Sequence, residues 1–305
     1  MSWVRESKLS WTQRFAIKVV KTGHVPKHVA FIMDGNRRYA KRNNVKNVDG
    51  HSKGFDKLSE TLQWCFELGI FEVTVFAFSI ENFKRSEEEV NDLLDLARRK
   101  FERLLEEREQ LEKHGICIRV IGNLYLIPDD IKQQISEAVY MTKNNKRAIL
   151  NIAFAYTSSD EITYSVRNIT EGVKRSELMI DDISEDLINE SLYTKNSPDP
   201  DLLIRTSGEI RFSDFLLWQI STSCVYFTDK LWPDFTVYDL LHGVVYYQRC
   251  KSNLELTSKE LKPKNSMQNS RIKSYLFRVE DDYQSALKEN LQCFNNLKEG
   301  SHNSN

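Results

Sequence analysis

The chain alternates short apolar runs with longer segments whose apolar residues recur every three or four positions. The short runs are apolar almost throughout, which is typical of parallel strands buried on both faces. This pattern predicts six strands, at 28–33, 73–78, 116–121, 149–154, 202–205 and 225–228. The longer segments predict helices at about 52–68, 86–113, 129–143, 159–173, 184–191 and 236–249. The alternation predicts an α/β fold, in which a central, mostly parallel six-stranded sheet is flanked by helices.

The segment 86–113 carries the clearest helical pattern. Ser86 and Glu89 form a capping-box pattern at its start, and Gly115 can close its end. Its apolar residues form a long stripe, made of Val90, Leu94, Ala97, Phe101, Leu104 and Leu111. Such a stripe can pack in the core or line an apolar groove, and the sequence leaves both uses open.

Both ends of the chain differ from its centre. Residues 1–24 form an amphipathic N-terminal helical segment, in which Trp3 precedes Trp11, Phe15 and Val19 at helical spacing, with basic residues between them. A helix on a membrane surface and a helix packed on protein explain this pattern equally well. A main domain is expected over 25–250, and a linker and C-terminal helical tail over 251–305. Residues 253–275 favour the linker, because they are rich in Lys, Ser and Asn and contain Pro263.

Composition narrows the classes of function. The formal net charge of -1 over 305 residues gives no overall basic field, so we expect no nucleic-acid partner. The five cysteines form no C-x-x-C pair, which indicates reduced thiols rather than a zinc site. No apolar run approaches the roughly 20 residues of a membrane span.

The stretch 28–40 predicts a strand, a tight turn and the first turn of a helix. The strand stops at Asp34 and Gly35, and Asn36, Arg37 and Arg38 follow at once. Unpaired N–H groups at a helix start, together with two guanidiniums, make an anion site of diphosphate size. An aspartate in such a site indicates that a metal ion or a proton is handled there. The alternative is a solvated turn whose aspartate caps the helix.

Two other predicted strand ends carry similar polar groups, and Gly50-His51 precedes the helix 52–68. Ligands of parallel α/β sheets bind outside the carboxyl ends of the strands. We therefore expect these groups to meet at one rim and to bind two phosphate-bearing ligands. The sequence contains neither a P-loop nor a G-x-G-x-x-G motif. The groups are His51, Ser79, Asn82, Arg85, Arg205, Arg211 and Ser213.

Four motifs resemble those of the cis-prenyltransferases and occur in the same order: MDGNRRYA, GHSKG, FAFSIENFKR and DLLIRTSGEIRFSDFLLWQ, the last followed by YFTD and LWPDF. The resemblance spans about residues 25–250, and the layout is similar to that of eukaryotic dehydrodolichyl diphosphate synthase catalytic subunits. It implies a hydrophobic tunnel beside the sheet. It also implies that the 25–250 domain uses Mg²⁺ to condense farnesyl diphosphate with several isopentenyl diphosphates, giving a long-chain polyprenyl diphosphate for dolichol synthesis and protein glycosylation.

The resemblance also implies roles for single residues. Asp34 would handle the metal and the diphosphate, and Ser79 and Asn82 would act in catalysis between the two substrates. The allylic diphosphate would be bound by Gly35, Asn36, Arg37, Arg38, His51 and Arg85. Isopentenyl diphosphate would be held by Arg205, Arg211 and Ser213.

Three features depart from the family pattern, and they bear on a phosphate contact, on metal binding and on assembly in turn. Asn47 stands where bacterial members have an arginine near the allylic diphosphate, with Lys46 as a candidate replacement, and Cys224 stands where they have a metal-binding glutamate. The sequence does not end in the Arg-x-Gly motif that adjoining subunits contribute in this family. We therefore expect a Nogo-B-receptor-like regulatory subunit. The resemblance implies a peripheral location on the cytosolic face of the endoplasmic reticulum membrane.

Three other functions stay open. A non-catalytic scaffold subunit of the same fold would typically lack the Asp-Gly-Asn-Arg pattern, which this chain retains. A phosphoester hydrolase using Asp34 and a metal ion would need a further carboxylate cluster, which the sequence does not show clearly. A binding module for anionic lipids would not need two arginine-lined sites.

Overall fold

A computed structural model describes Trp3, residues 9–261 and residues 269–302. Within these residues, six strands form one fully parallel sheet in the order β3-β4-β2-β1-β5-β6. The predicted α/β class is confirmed, and each strand lies within two residues of its expected bounds. The strands are β1 His28–Ile32, β2 Glu72–Ser79, β3 Ile116–Ile121, β4 Ala148–Tyr156, β5 Leu202–Arg205 and β6 Cys224–Phe227.

Helices cover both faces of this sheet. In chain order they are α1 Trp11–Val20, α2 Asn36–Arg42, α3 Asn47–Leu68, α4 Glu87–Glu106, α5 Arg108–His114, α6 Asp129–Thr142, α7 Ser158–Lys174, α8 Glu185–Asn189, α9 Val237–Leu261 and α10 Ser270–His302. Short 3₁₀ turns, such as Ile80–Lys84 after β2, lie between them. None of the helices within the described residues is long and apolar enough to cross a lipid bilayer.

The two faces of the sheet pack against separate apolar clusters. Phe31 and Val75 face a large cluster that includes Leu58 of α3 and Leu104 of α4. The alternate residues of β1 face a smaller cluster that includes Tyr156 and the segment around Phe215. Strand side chains point to opposite faces in turn, so burial on both sides requires the near-continuous apolar runs seen in the sequence.

The predicted helix 86–113 is two helices. It breaks at Glu107, whose φ of -91° and ψ of 17° leave the helical range before α5 begins. The Glu107 carboxylate is buried, accepts the backbone N–H of Trp3 at 2.8 Å and pairs with Arg103 at 2.9 Å. The break therefore coincides with the place where the start of the chain packs against this helix.

The linker prediction over 253–275 is wrong where the structure describes it. Helix α9 continues to Leu261 and α10 already begins at Ser270, while 262–268 lie outside the described residues. Ile272, Tyr275 and Val279 of α10 are buried in a third apolar cluster, against side chains of α7 and α8. Apolar residues at helical spacing supply the packing that the polar composition obscured.

Helix α1 exposes the apolar face that the sequence predicted. Trp11, Phe15 and Val19 are exposed, and only Ile17 of this helix is fully buried. Trp3 does not belong to this face, because it is buried between α3 and α4.

Candidate active site

The carboxyl ends of three adjacent strands open into one cavity. Strands β2, β1 and β5 lie side by side, and Ile32 of β1 pairs with Arg205 of β5. The cavity has a volume of about 860 Å³ and extends from these strand ends into the space between α3 and α4. The expectation of one common rim is confirmed, because all of the predicted site residues line this cavity: Asp34, Gly35, Asn36, Arg37, Arg38, His51, Ser79, Asn82, Arg85, Arg205, Arg211 and Ser213. Their individual roles stay predictions.

Asp34 lies at the centre of the rim, in the turn after β1. Its Oδ1 accepts the N–H of Gly35 at 2.7 Å, and its own N–H donates to Thr206 Oγ1 at 3.0 Å. Gly35 has a φ of +102°, and a Cβ there would lie 3.1 Å from the Ser207 Cβ. Both the conformation and the space require glycine. The turn thus holds the Asp34 carboxylate at the cavity mouth, with 35% of its side chain exposed.

Arg205 links the β5 side of the rim to Asp34. Its side chain is 2% exposed, and its Nη2 donates to Asp34 Oδ2 at 3.0 Å. Its Nη1 donates to Ser213 Oγ at 2.8 Å and to the carbonyl oxygen of Arg211. A buried guanidinium is unfavourable without a counter-ion. Asp34 therefore stabilises the position of Arg205, while Arg205 fixes the orientation of the Asp34 carboxylate.

Ser213 lies in a strained loop that α7 holds in place. Ser213 and Asp214 have φ values of +52° and +59°. The N–H of Ser158 donates to the Asp214 carbonyl at 2.7 Å, and the Ser158 hydroxyl accepts the N–H of Leu217 at 3.0 Å. Left-handed conformations of non-glycine residues persist only where their surroundings enforce them. Here they present the Ser213 hydroxyl to Arg205.

Glu209 forms a shared ion pair with two arginines from opposite sides of the rim. Its Oε1 lies 3.1 Å from Arg38 Nη2, and its carboxylate accepts a hydrogen bond from Arg211 Nη1. Arg38 also donates to the Ser207 hydroxyl. We did not predict Glu209 as a site residue, although its position between Arg205 and Arg211 was the available signal.

Glu89 plays the same part for a second pair of arginines. Its Oε1 accepts a hydrogen bond from Arg85 Nη1 at 2.7 Å and lies 3.7 Å from Arg37 Nη1. The capping-box prediction is therefore only half right. Ser86 does cap α4, its hydroxyl accepting the Glu89 N–H at 3.3 Å, but the Glu89 carboxylate turns to the arginines.

His51 is a neutral imidazole at neutral pH. Burial, with a further contribution from the positive charge of Arg85, lowers the pKa of His51 to about 4. Its Nε2 is buried and has no hydrogen-bond partner among the described residues. The neutral ring can accept or donate one hydrogen bond to a ligand without adding charge to the site.

Ser79 and Asn82 shape the turn that follows β2. The Ser79 hydroxyl accepts the N–H of Glu81 at 3.2 Å, and Asn82 Oδ1 accepts the N–H of Ser79 at 2.9 Å. Because the Asn82 oxygen is engaged in the turn, its NH₂ group is the part that can donate to a ligand in the cavity.

The interior of the cavity is apolar. Leu93, Leu96, Ala97 and Phe101 of α4 line it, opposite Phe55 and Leu58 of α3. The same helix also buries Leu94 and Leu104 in the core. Both uses of the α4 stripe that the sequence left open are therefore present.

Trp3 closes the far end of the cavity. Its indole meets the Phe55 ring edge-on at a centroid distance of 4.5 Å, and its Nε1 donates to the Lys100 carbonyl at 2.8 Å. Beyond Trp3 lies a second cavity of about 300 Å³, which Trp3 also lines. No pattern in the sequence indicates this role of Trp3, because the role depends on where the start of the chain folds back.

Residues 32–255, which make up most of the chain, match the family model for undecaprenyl diphosphate synthases. The chain belongs to the cis-prenyltransferase family. It is 55% identical to the human dehydrodolichyl diphosphate synthase complex subunit DHDDS, over 84% of this chain and 77% of that protein. It is 43% identical to the tritrans,polycis-undecaprenyl-diphosphate synthase of Pyrococcus horikoshii, over 78% of this chain and 89% of that protein.

A solved cis-prenyltransferase has the same fold. The lavandulyl diphosphate synthase from Lavandula x intermedia, crystallised with dimethylallyl diphosphate, superposes with a TM-score of 0.70 at 34% identity. The match covers 73% of this chain and 95% of that one. The chain is therefore a prenyltransferase, and the predicted resemblance, including that to the eukaryotic dehydrodolichyl diphosphate synthases, is confirmed.

The two departures from bacterial cis-prenyltransferases lie away from the cavity lining. Asn47 is exposed at the start of α3. Cys224 is the first residue of β6, at the amino end of that strand, and is buried. Burial and the neighbouring Cys250 thiol raise the pKa of Cys224 to about 12, so the thiol stays protonated. A protonated thiol at that end of the sheet is no ligand for Mg²⁺ at this cavity.

Proposed function

We propose that this chain is the catalytic subunit of a two-subunit cis-prenyltransferase. It would condense farnesyl diphosphate with several isopentenyl diphosphates to a long-chain polyprenyl diphosphate for dolichol synthesis and protein glycosylation. One observation carries the proposal: two arginine clusters share the mouth of a single cavity whose interior is apolar. Two diphosphates can bind at this mouth while their hydrocarbon parts meet inside. A phosphoester hydrolase needs neither the second anion site nor the apolar interior.

The two sides of the rim suit the two substrates. Arg37 and Arg85 pair with Glu89 of α4, the helix whose apolar side chains line the interior, where a growing allylic chain needs room. We assign them, with Arg38 and neutral His51, to the allylic diphosphate. Arg205, Arg211 and Ser213 form the β5 side, where the short isopentenyl group fits. Asp34 and Arg205, 3.0 Å apart, lie at the boundary, where the reacting carbons would meet.

The residue types fit the electronic changes of the reaction. The allylic C–O bond breaks and leaves its electron pair on the departing diphosphate. The double bond of isopentenyl diphosphate supplies the electrons of the new C–C bond, loss of a C2 proton restores a double bond, and inorganic diphosphate and a proton are released. Preorganised guanidiniums around the departing diphosphate stabilise its rising charge. Holding both substrates in one cavity also speeds the reaction, because the reacting carbons are already close to each other.

The donor set fits Mg²⁺ that arrives with a diphosphate. Asp34 offers a partly exposed carboxylate, and no group of three or more His, Cys, Asp or Glu side chains that could hold a metal ion occurs among the described residues. Mg²⁺ is commonly held by one or two carboxylates together with substrate phosphates and water. When bound, it would withdraw charge from the leaving diphosphate. Asp34 would hold it, and Arg205 would keep the Asp34 carboxylate oriented.

Two observations support the partner and the location. The human relative and a Schizosaccharomyces pombe relative, 40% identical, are both named complex subunits. We propose that a Nogo-B-receptor-like regulatory subunit completes the enzyme. The exposed Trp11, Phe15 and Val19 of α1, with Arg14 and Lys18 exposed beside them, suit the surface of an anionic membrane. We propose that this surface is the cytosolic face of the endoplasmic reticulum.

The test uses radiolabelled isopentenyl diphosphate, farnesyl diphosphate and Mg²⁺, first with this chain alone and then with the partner subunit. We expect long-chain product from the complex and much less from the chain alone. If the chain alone turned over as fast as the complex, the partner subunit would not be required for activity. No product from a formed complex would instead favour a non-catalytic scaffold.

The membrane proposal has its own test. The complex should float with vesicles that contain anionic phospholipid, and a Trp11→Ser, Phe15→Ser double variant should float less while keeping its solution activity. Equal flotation of the two proteins would refute a membrane role for α1.

A further inference from the structure

The proposed reaction requires a diphosphate to change sides in every cycle. The allylic diphosphate is released, so the elongated product carries the diphosphate that came with isopentenyl diphosphate. After each condensation this group lies beside Arg205 and Arg211. Before the next condensation it has to lie beside Arg37 and Arg38. This inference therefore rests on the proposed function and concerns a step between two condensations.

Glu209 lies between the two positions. Its carboxylate lies 3.1 Å from Arg38 Nη2 on the allylic side and accepts a hydrogen bond from Arg211 on the other side. The side chains of Arg38 and Arg211 are 49% and 60% exposed, so both can follow a moving ligand. Arg205 is different, because it is 2% exposed and is held by Asp34 and Ser213.

The backbone that carries Glu209 is fixed. Ser207 and Gly208 have φ values of +79° and +73°, and their N–H groups donate to the carbonyls of Lys230 at 2.7 Å and Thr228 at 2.9 Å. The φ of Gly208 lies in the left-handed region that favours glycine, and a Cβ there would also lie 3.0 Å from Asp229 Oδ1. A rigid turn with a partly exposed carboxylate at its tip lets the Glu209 side chain rotate while its Cα stays in place.

We propose that Glu209 is a positioning residue that exchanges between Arg211 and Arg38 as the diphosphate of the product moves in the opposite direction. While the diphosphate occupies the Arg211 side, Glu209 neutralises Arg38. Once the diphosphate reaches Arg38, Glu209 neutralises Arg211. Neither guanidinium lacks a counter-ion at either end of the movement, so the vacated arginine does not draw the diphosphate back. Glu209 thereby favours transfer over release of the intermediate, and this sets how many condensations one bound chain completes.

The test follows single chains on the two-subunit complex. The complex is loaded with radiolabelled farnesyl diphosphate and then mixed with isopentenyl diphosphate, Mg²⁺ and an excess of unlabelled farnesyl diphosphate as a trap. Rapid quenching gives the rate of the first condensation, and chromatography gives the lengths of the labelled products. The first condensation needs no transfer of diphosphate, whereas every later one does.

Glu209→Gln should raise the chance of release in each cycle by about two- to fivefold, the scale of a partly exposed charge pair, and change the first condensation much less. Short labelled intermediates should then accumulate. Glu209→Asp keeps the charge but is too short to reach both arginines, so it should shorten the products as well. Glu87→Gln, in the exposed first turn of α4, is the matched control and should leave the product lengths unchanged.

An unchanged product distribution in Glu209→Gln would overturn the proposal. An equal loss of rate in the first and the later condensations would also overturn the proposal, because it would show that Glu209 only positions the substrates. If the wild-type complex performs no first condensation, the proposed function itself fails, and this outcome is distinct from the other two.

Discussion

Asp34→Asn separates the structural and the chemical roles of the central carboxylate. The amide keeps the shape of the side chain and can still accept the Gly35 N–H, but it removes the negative charge 3.0 Å from Arg205 Nη2. Two unit charges at 4 Å interact by about 4 kcal/mol at an effective dielectric constant of about 20. Because 35% of the Asp34 side chain is exposed, we take about half of that value, so the free energy of unfolding should fall by about 2 kcal/mol.

The effect of Asp34→Asn on turnover should be larger than its effect on stability. Loss of one preorganised group that stabilises transition-state charge lowers kcat by about 100- to 1000-fold. The KM for farnesyl diphosphate should stay within about threefold or fall, because the arginines remain and a negative charge has left the site. Steady-state kinetics at saturating Mg²⁺ and a thermal melt measure the two effects, with the exposed Asp49→Asn as control. A kcat loss below tenfold, or a KM that rises as much as kcat falls, would refute this role for Asp34.

Three further predictions follow from single contacts. Arg211→Ala should raise the KM for isopentenyl diphosphate about tenfold or more, because a charge-assisted contact is lost; a selective rise in the KM for farnesyl diphosphate would reverse the assignment of the two sides. Trp3→Ala should lower the free energy of unfolding by about 3 kcal/mol, because the buried indole is lost. The substitution should also join the two cavities and lengthen the products, and products of unchanged length would show that Trp3 does not limit the length of the prenyl chain. Folding lowers the pKa of His51 from 6.5 to about 4. Between pH 6.5 and 4 the unfolded chain therefore binds a proton at His51 that the folded protein does not, so the free energy of unfolding falls as the pH drops through this range. His51→Asn should flatten that part of the denaturation profile, and an unchanged slope would contradict a buried neutral ring.

The sequence predicted the parts of the site that follow from strand ends. Apolar runs located β1, β2 and β5, and the rule that ligands bind at the carboxyl ends of parallel strands brought their polar groups to one rim. Glu209 and Glu89 were missed because their pairing depends on side-chain rotamers between elements distant in sequence. The Glu89 case is instructive, since a local capping pattern competes there with two arginines, and the arginines prevail.

The remaining errors concern where helices begin and end. The break at Glu107 occurs where its carboxylate accepts the N–H of Trp3, which is about one hundred residues away in the chain. A helical tail was predicted, but the start of α10 was obscured by polar composition, although Ile272, Tyr275 and Val279 already carry helical spacing. In both cases tertiary packing decided the structure over local composition.

The order of the strands explains why one aspartate can serve both substrates. Strand β1 lies between β2 and β5, so the turn after β1 is the only one of the three rim turns that adjoins both of the others. Asp34 occupies that turn, with Arg85 beyond the end of β2 on one side and Arg205 at the end of β5 on the other. A carboxylate placed after β2 or β5 would adjoin one anion site and lie a strand further from the other. A metal ion held by Asp34 would therefore be close to either diphosphate, and the Asp34–Arg205 pair would keep the carboxylate at this boundary whichever side is occupied.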